Sequence, residues 1–231
     1  AGMVVNGTLV VEGNKTHRAV FDEKEAGLGW TGLVFNKGSV VNIDYALINN
    51  TECAIDVTDC ELVVTNTVIT NTAKAVNAKF NDGGSLTIDG CVIDTQVGPE
   101  ASIAVDISGF ADGAYENVIA VDVAITNNLV ESANPEGLLL ISRDVKAEGN
   151  GIATVAGNIL IQGNRFDQAS INPHSVKIIT TLYAVDNSRL ILEGAVCIED
   201  NVFEGPSSYM VYYYLDTDAK DNSTICIGFT T

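Results

Sequence analysis

Glu61 to Thr72 reads ELVVTNTVITNT, and its spacing decides how the rest of the chain is read. The core of the stretch is a six-residue unit: Val64, then Thr65-Asn66-Thr67-Val68, then Ile69. An apolar residue opens the unit, a turn-former such as Asn, Gly or Asp usually follows two places later, and an apolar residue closes it. The unit recurs as Ile43 to Ile48, Ile88 to Ile93, Ile125 to Val130, Ile161 to Phe166 and Ile198 to Phe203. The opening residues are separated by 21 (43 to 64), 24 (64 to 88), 37 (88 to 125), 36 (125 to 161) and 37 (161 to 198). A period of about 20 to 40 residues marks a stacked repeat.

A second short apolar run precedes each unit. Examples are Leu33-Val34-Phe35, Ala54-Ile55-Asp56-Val57, Ala75-Val76-Asn77-Ala78, Ile103-Ala104-Val105, Leu138 to Ile141, Val176 to Ile179 and Val211 to Tyr214. β-Branched residues dominate, and no segment has apolar i, i+3, i+4, i+7 spacing over three turns, so helical repeats are set aside. Each period therefore holds two or three short strands separated by turns at Gly, Asn and Asp. Stacking corresponding strands in parallel, about 4.8 Å apart, puts like residues above like. The expected inward ladders are Ile43, Val64, Ile88, Ile125, Ile161, Ile198 and Ile48, Ile69, Ile93, Val130, Phe166, Phe203. An Asn-rich corner, with Asn66, Asn127, Asn128, Asn164 and Asn201, is expected to stack through its amides.

With GWTGLVF at Gly29 to Phe35, AIDV at Ala54 to Val57, and Ile-x-x-Asn-x-Phe at Ile161 to Phe166 and Ile198 to Phe203, the chain resembles the right-handed parallel β-helix proteins, the pectin-lyase-like superfold. The resemblance covers nearly the whole chain. It implies an all-β, single-domain right-handed β-solenoid spanning residues 1–231, of about seven to eight coils and roughly 35 Å tall at 4.8 Å per coil. It specifies fold well and function hardly at all.

The later coils are longer, through Ser108–Asn117, Arg143–Gly157 and Thr180–Leu190, which should cluster on one side and carry any functional surface. Polysaccharide lyases and glycoside hydrolases share the superfold, and a hydrolase needs two carboxylates in different protonation states. Asp106 and Asp112 are candidate acids, and Arg143 with Lys146 reads as surface charge in a long insertion. His17 and His174, the only histidines, have no acid–base setting, and no calcium loop, phosphate loop or nucleophile elbow is present. Trp30 and the run Tyr212-Tyr213-Tyr214 are candidate sugar- or partner-stacking aromatics, since alternation sends at least one tyrosine outward. Neither a cofactor nor a metal is expected.

Of 231 residues 46% are hydrophobic, enough for a substantial core, and no run approaches the roughly 18 apolar residues of a membrane span. Twelve Lys and Arg against 30 Asp and Glu give a net charge of −18, which repels nucleic acid and anionic lipid. The five cysteines, Cys53, Cys60, Cys91, Cys197 and Cys226, form no CxxC pair. Ala1-Gly2 at the start fits a processed, exported chain, so a secreted or cell-surface protein is expected. The strand-like ends, Val4, Val5, Leu9 and Val11 at one and Ile225, Cys226, Ile227 and Phe229 at the other, read as uncapped edges. The leading expectation is a non-catalytic structural protein that self-associates head to tail through those ends. A polysaccharide-acting enzyme or carbohydrate-binding adhesin module is the alternative.

Overall fold

The computed structural model describes residues 2–23, 30–96, 98, 100–169, 174–206 and 209–228. They form 23 strands and no helix. In the first third these are β1 (Met3–Val5), β2 (Thr8–Glu12), β3 (Ala19–Phe21), β4 (Leu33–Phe35), β5 (Val40–Asp44), β6 (Ala46–Thr58), β7 (Glu61–Thr65) and β8 (Val68–Phe80). The middle holds β9 (Gly84–Asp89), β10 (Val92–Thr95), β11 (Ile103–Ala111), β12 (Glu116–Thr126), β13 (Leu129–Ser132), β14 (Leu139–Ala147) and β15 (Ile152–Ala156). The remainder holds β16 (Ile159–Gln162), β17 (Arg165–Gln168), β18 (His174–Ala184), β19 (Arg189–Glu193), β20 (Val196–Glu199), β21 (Val202–Glu204), β22 (Tyr209–Ala219) and β23 (Thr224–Gly228).

All pairings between these strands are parallel, in sheets of 13 and 10 strands. The pairing runs along four lines. Line one is β2, β5, β7, β9, the second half of β12, β16 and β20. Line two is β3, the first halves of β6 and β8, then β10, β13, β17 and β21. Line three is β1, β4, the second halves of β6 and β8, then β11, β14, β18 and β22. Line four, formed only by the longer periods, is the first half of β12, then β15, β19 and β23. The chain visits the lines in turn and moves one strand further along each time.

Register makes the interior. In line one Val11, Ile43, Val64, Ile88, Ile125, Ile161 and Ile198 lie in one row, strand over strand. In line two Phe21, Ile48, Ile69, Ile93, Val130, Phe166 and Phe203 do the same. Both rows match the expected ladders residue for residue. Their middle members are fully buried, each contributing about 1.5–3 kcal/mol of apolar transfer. Phe166 and Phe203 stack at 5.4 Å with 17° between the rings.

The corner between lines one and two corrects the sequence reading. Asn66 and Asn127 do not stack with Asn128, Asn164 and Asn201. They belong to an adjacent row, Tyr45, Asn66, Gly90, Asn127, Gly163 and Asp200, every member of which has positive φ, from 49° to 67°. Asn and Gly accept that left-handed conformation at low cost, and Gly90 and Gly163 hold it where the row lacks a side chain. From there Asn66 and Asn127 reach outward to Asp44 (2.9 Å) and Asp89 (2.8 Å). One residue on, the chain points inward. Asn128 donates its backbone N–H (2.9 Å) and Nδ2 (3.0 Å) to Asn164 Oδ1. Asn164 repeats this toward Asn201 Oδ1 at 3.0 and 2.9 Å. Their Nδ2 groups also donate to the carbonyls of Ile88, Ile125 and Ile161. Buried amides are tolerated because the ladder satisfies both ends of each.

The three long insertions are not loops. Ser108–Asn117, Arg143–Gly157 and Thr180–Leu190 are mostly strand, lengthening line three and adding line four, with tight turns at Gly113, Gly149-Asn150 and Asp186-Asn187. Equivalent positions do stack on one side, as Ser108, Asp144, Thr181 and Asp216.

The two corner rows predict different costs. Asn164→Ala strands the Asn128 N–H and the Ile125 carbonyl inside the protein, and should lower unfolding free energy by about 2–5 kcal/mol. Asn127→Gly keeps the left-handed turn and loses one exposed bond, so its cost should stay within about 1 kcal/mol. Urea unfolding of the two variants checks the contrast.

Candidate functional site

Two regions stand out, the outward side of line three and the open ends. Outward residues alternate with buried ones along β8, β11 and β14, and they stack in register as Lys79, Asp106, Ser142 and, on the diagonal, Asp144. With Lys74 and Asn77 they line a groove of about 460 Å³. Ala75 and Val76 are buried side by side in β8, which breaks the alternation between Lys74 and Asn77, and both of these line the groove. Lys74 pairs with Glu100 and donates to Asn77 Oδ1 at 3.4 Å, and Asn77 Nδ2 donates to Asp56 at 2.9 Å. Burial pulls the Lys74 ammonium pKa down, against the opposing pull of Cys53 and Asp56. Asp106 moves the other way. Withdrawal from water raises its carboxyl, Lys79 opposes this, and Asp144 adds to it.

Asp112, the second candidate acid, does not join this groove. It sits exposed in the turn after β11, where its carbonyl accepts from Tyr115 N–H at 3.2 Å, roughly 20 Å from Asp106 along an extended strand. Trp30 is half-buried against the core. Its Nε1 donates to the Asn49 carbonyl at 2.8 Å, and its own carbonyl accepts from Thr51 Oγ1 at 2.7 Å. Of the tyrosine run, Tyr212 and Tyr214 face outward and stack at 6.2 Å with 8° between rings. Tyr213 faces inward, in the row of Ile141 and Ile178, and its hydroxyl accepts from Arg143. Arg143 is the largest correction: it is no surface charge, being 5% exposed in an inward row. Lys146 does stay outside, over the rings of Phe110 and Tyr183 at 5.9 and 5.3 Å. The five cysteines are free thiols. Burial pushes Cys91 up to about 12 and Cys53 up to about 11, so neither is a reactive thiolate near neutral pH.

At the ends, among the described residues, β1, β2 and β3 pair on one side only, with β4, β5 and β6. Among the described residues, β20, β21, β22 and β23 likewise pair only with β16, β17, β18 and β19. Core residues lose their cover there. Val5 and Leu9 at one end and Ile225 and Ile227 at the other are partly buried, and the inward Tyr213 is 41% exposed; Val4, which the sequence reading counts among the uncapped edge residues, pairs with Val34 in the outward row that continues to Asp56, so its 61% exposure is not a loss of core cover. Val11 is still buried, and Cys226 is half-buried. Phe229 lies outside the described residues. The far end is stepped, since lines one and two stop at β20 and β21 while lines three and four continue through β22 and β23. At the near end Arg18 covers the corner, donating Nη1 to the Ala46 carbonyl at 3.1 Å and to the Asn66 carbonyl at 2.5 Å.

No protein-family model matches this chain, and no curated protein or solved structure matches it.

The raised Asp106 carboxyl sets a pH dependence. Its folded pKa lies above the unfolded value of about 3.9, so the folded state binds the proton more tightly. Stability from this group is therefore full below the unfolded pKa and lost as pH rises through the folded one. Asp106→Asn should gain stability relative to the parent at pH 7, and the difference should vanish below about pH 4. Thermal unfolding across that range reads it.

Proposed function

We propose that the four lines are the walls of a single right-handed parallel β-helix, and that the protein is a non-catalytic, secreted or cell-surface structural element that assembles end to end. The support for the helix is the order of visits: lines one, two and three in rotation, with each row holding one residue per period. Right-handed crossover is the rule for parallel connections. The observation that carries assembly is the pair of one-sided ends, because an unpaired parallel edge above a half-covered core templates further strands.

The stepped end dictates how two copies meet. Laying β1 of one copy on β22 of another leaves β20 and β21 uncovered. Placing β2 on β20 and β3 on β21 fits the step, provided that β22 takes the place of β1 beside β4. In that arrangement Leu9 caps Val196, Val11 caps Ile198, and Phe21 extends the Phe166–Phe203 stack. β1 is three residues long and is held from one side, so its exchange is cheap. The contact is heterologous and does not close, so repetition gives a fibre.

Deleting residues 1–7 should therefore promote assembly. Leu9→Lys should weaken it at least about tenfold, the factor carried by about 1.4 kcal/mol of lost apolar contact. Val118→Lys, on an outward position that is 52% exposed, should leave it unchanged. Light scattering and electron microscopy over a concentration series make the measurement. A species that stays monomeric at every concentration, with or without residues 1–7, contradicts the proposal.

A further inference from the structure

Arg143 occupies a core position. Its row in line three is Phe80, Ile107, Arg143, Thr180 and Leu215. Nε donates to Thr180 Oγ1 at 2.9 Å and Nη2 donates to the Tyr213 hydroxyl at 3.3 Å. Both acceptors are neutral. Among the described residues no carboxylate pairs with this guanidinium. Arginine keeps its charge in proteins, and a buried charge without a counter-ion is strongly unfavourable. Burial does lower its pKa, with Tyr213 opposing.

The surroundings show where a counter-ion enters. Tyr213 lies in β22, the last strand of line three, and is 41% exposed; Leu215 beside it is only partly buried. The guanidinium thus reaches along the row toward the open end. Its Nη1 has no hydrogen-bond partner, yet it is not among the polar atoms sealed from solvent. Tyr213, having accepted from Nη2, keeps its own O–H to donate. Two N–H groups of Nη1, the second N–H of Nη2 and one phenol O–H are then free at one place.

We infer that Arg143 and Tyr213 form a carboxylate-binding site at the open end of line three. A planar guanidinium edge pairs with a carboxylate through two parallel hydrogen bonds, and the phenol supplies a third donor. The carboxylate is either that of a small free acid or an acidic side chain of a second copy docked on that end. The site does not depend on assembly, because a free carboxylate enters through the same opening.

Formate is the probe. Replacing chloride by formate at constant ionic strength should raise the melting temperature of the whole chain, with saturation, by roughly 3–6 °C at tenfold excess over Kd. Arg143→Leu removes the buried charge that lacks a counter-ion, so it should melt no lower than the parent without formate and show no formate response. Tyr213→Phe retains the ring and should need several-fold more formate. A parent that ignores formate, or an Arg143→Leu variant that responds as the parent does, overturns the site. If light scattering finds self-association, its weakening in Arg143→Leu, and its competition by formate, identifies the second copy as the source. If no association occurs, the formate response still stands or falls alone, separately from the assembly proposal.

Discussion

Parallel pairing in register is the constraint on which the rest depends. Each residue of a strand sits directly over its counterpart one period earlier, so a side chain meets a copy of its own kind of position. Ile88 packs between Val64 and Ile125, and Ile93 between Ile69 and Val130. A one-residue slip would turn every one of these outward. The rows therefore tolerate few residue types, and aliphatic side chains fill them because they stack without polar remainder. Among the described residues, the first and last strands of each row are paired on one side.

Register needs a pin, and the corner supplies it. The row from Tyr45 to Asp200 holds a left-handed residue in each period, which reverses the chain at a fixed point. Immediately after it, Thr67, Asn128, Asn164 and Asn201 send polar groups inward to bond the backbone of the neighbouring strands; Thr67 Oγ1 accepts from the Ala46 N–H at 3.1 Å. A shift of register would leave these buried groups unpaired at about 1–3 kcal/mol each, so the ladder penalises slippage more sharply than the aliphatic rows alone. The longer periods keep this corner intact and put their extra residues into line four, on the other side of line three.

Both inward ladders were legible in the sequence, because the spacing between units survives insertions that fall outside them. Asn127 and Asn128 could not be separated without φ: they are neighbours of one type, and only the left-handed turn at Asn127 decides which faces inside. Arg143 is legible from the period of its strand. Along Leu139, Ile141, Arg143, Val145 and Ala147, strict alternation already puts it on the buried face, but its charge outweighed the period. Lys79 and Asp144 beside Asp106 were available in the same way, by aligning the runs at Ala75, Ile103 and Leu139. The placing of Lys74 and Asn77 in one groove is not, because two adjacent buried residues, Ala75 and Val76, break the alternation that a sequence reading follows. The half-burial of Trp30 is not legible either, because its hydrogen bond goes to a backbone carbonyl, which no side-chain pattern records.

The most direct test of the stacked-row account is residue-resolved amide hydrogen exchange. The account predicts the slowest exchange in β7, β9, β10 and β13, which are paired on both sides, and equally slow exchange at the backbone N–H of Asn128 and Asn164, whose acceptors are side-chain oxygens inside the ladder. β1 to β3 and β20 to β23 should exchange faster. Exchange at Asn128 and Asn164 at the rate of the exposed turns, with the middle strands no slower than the ends, would contradict it.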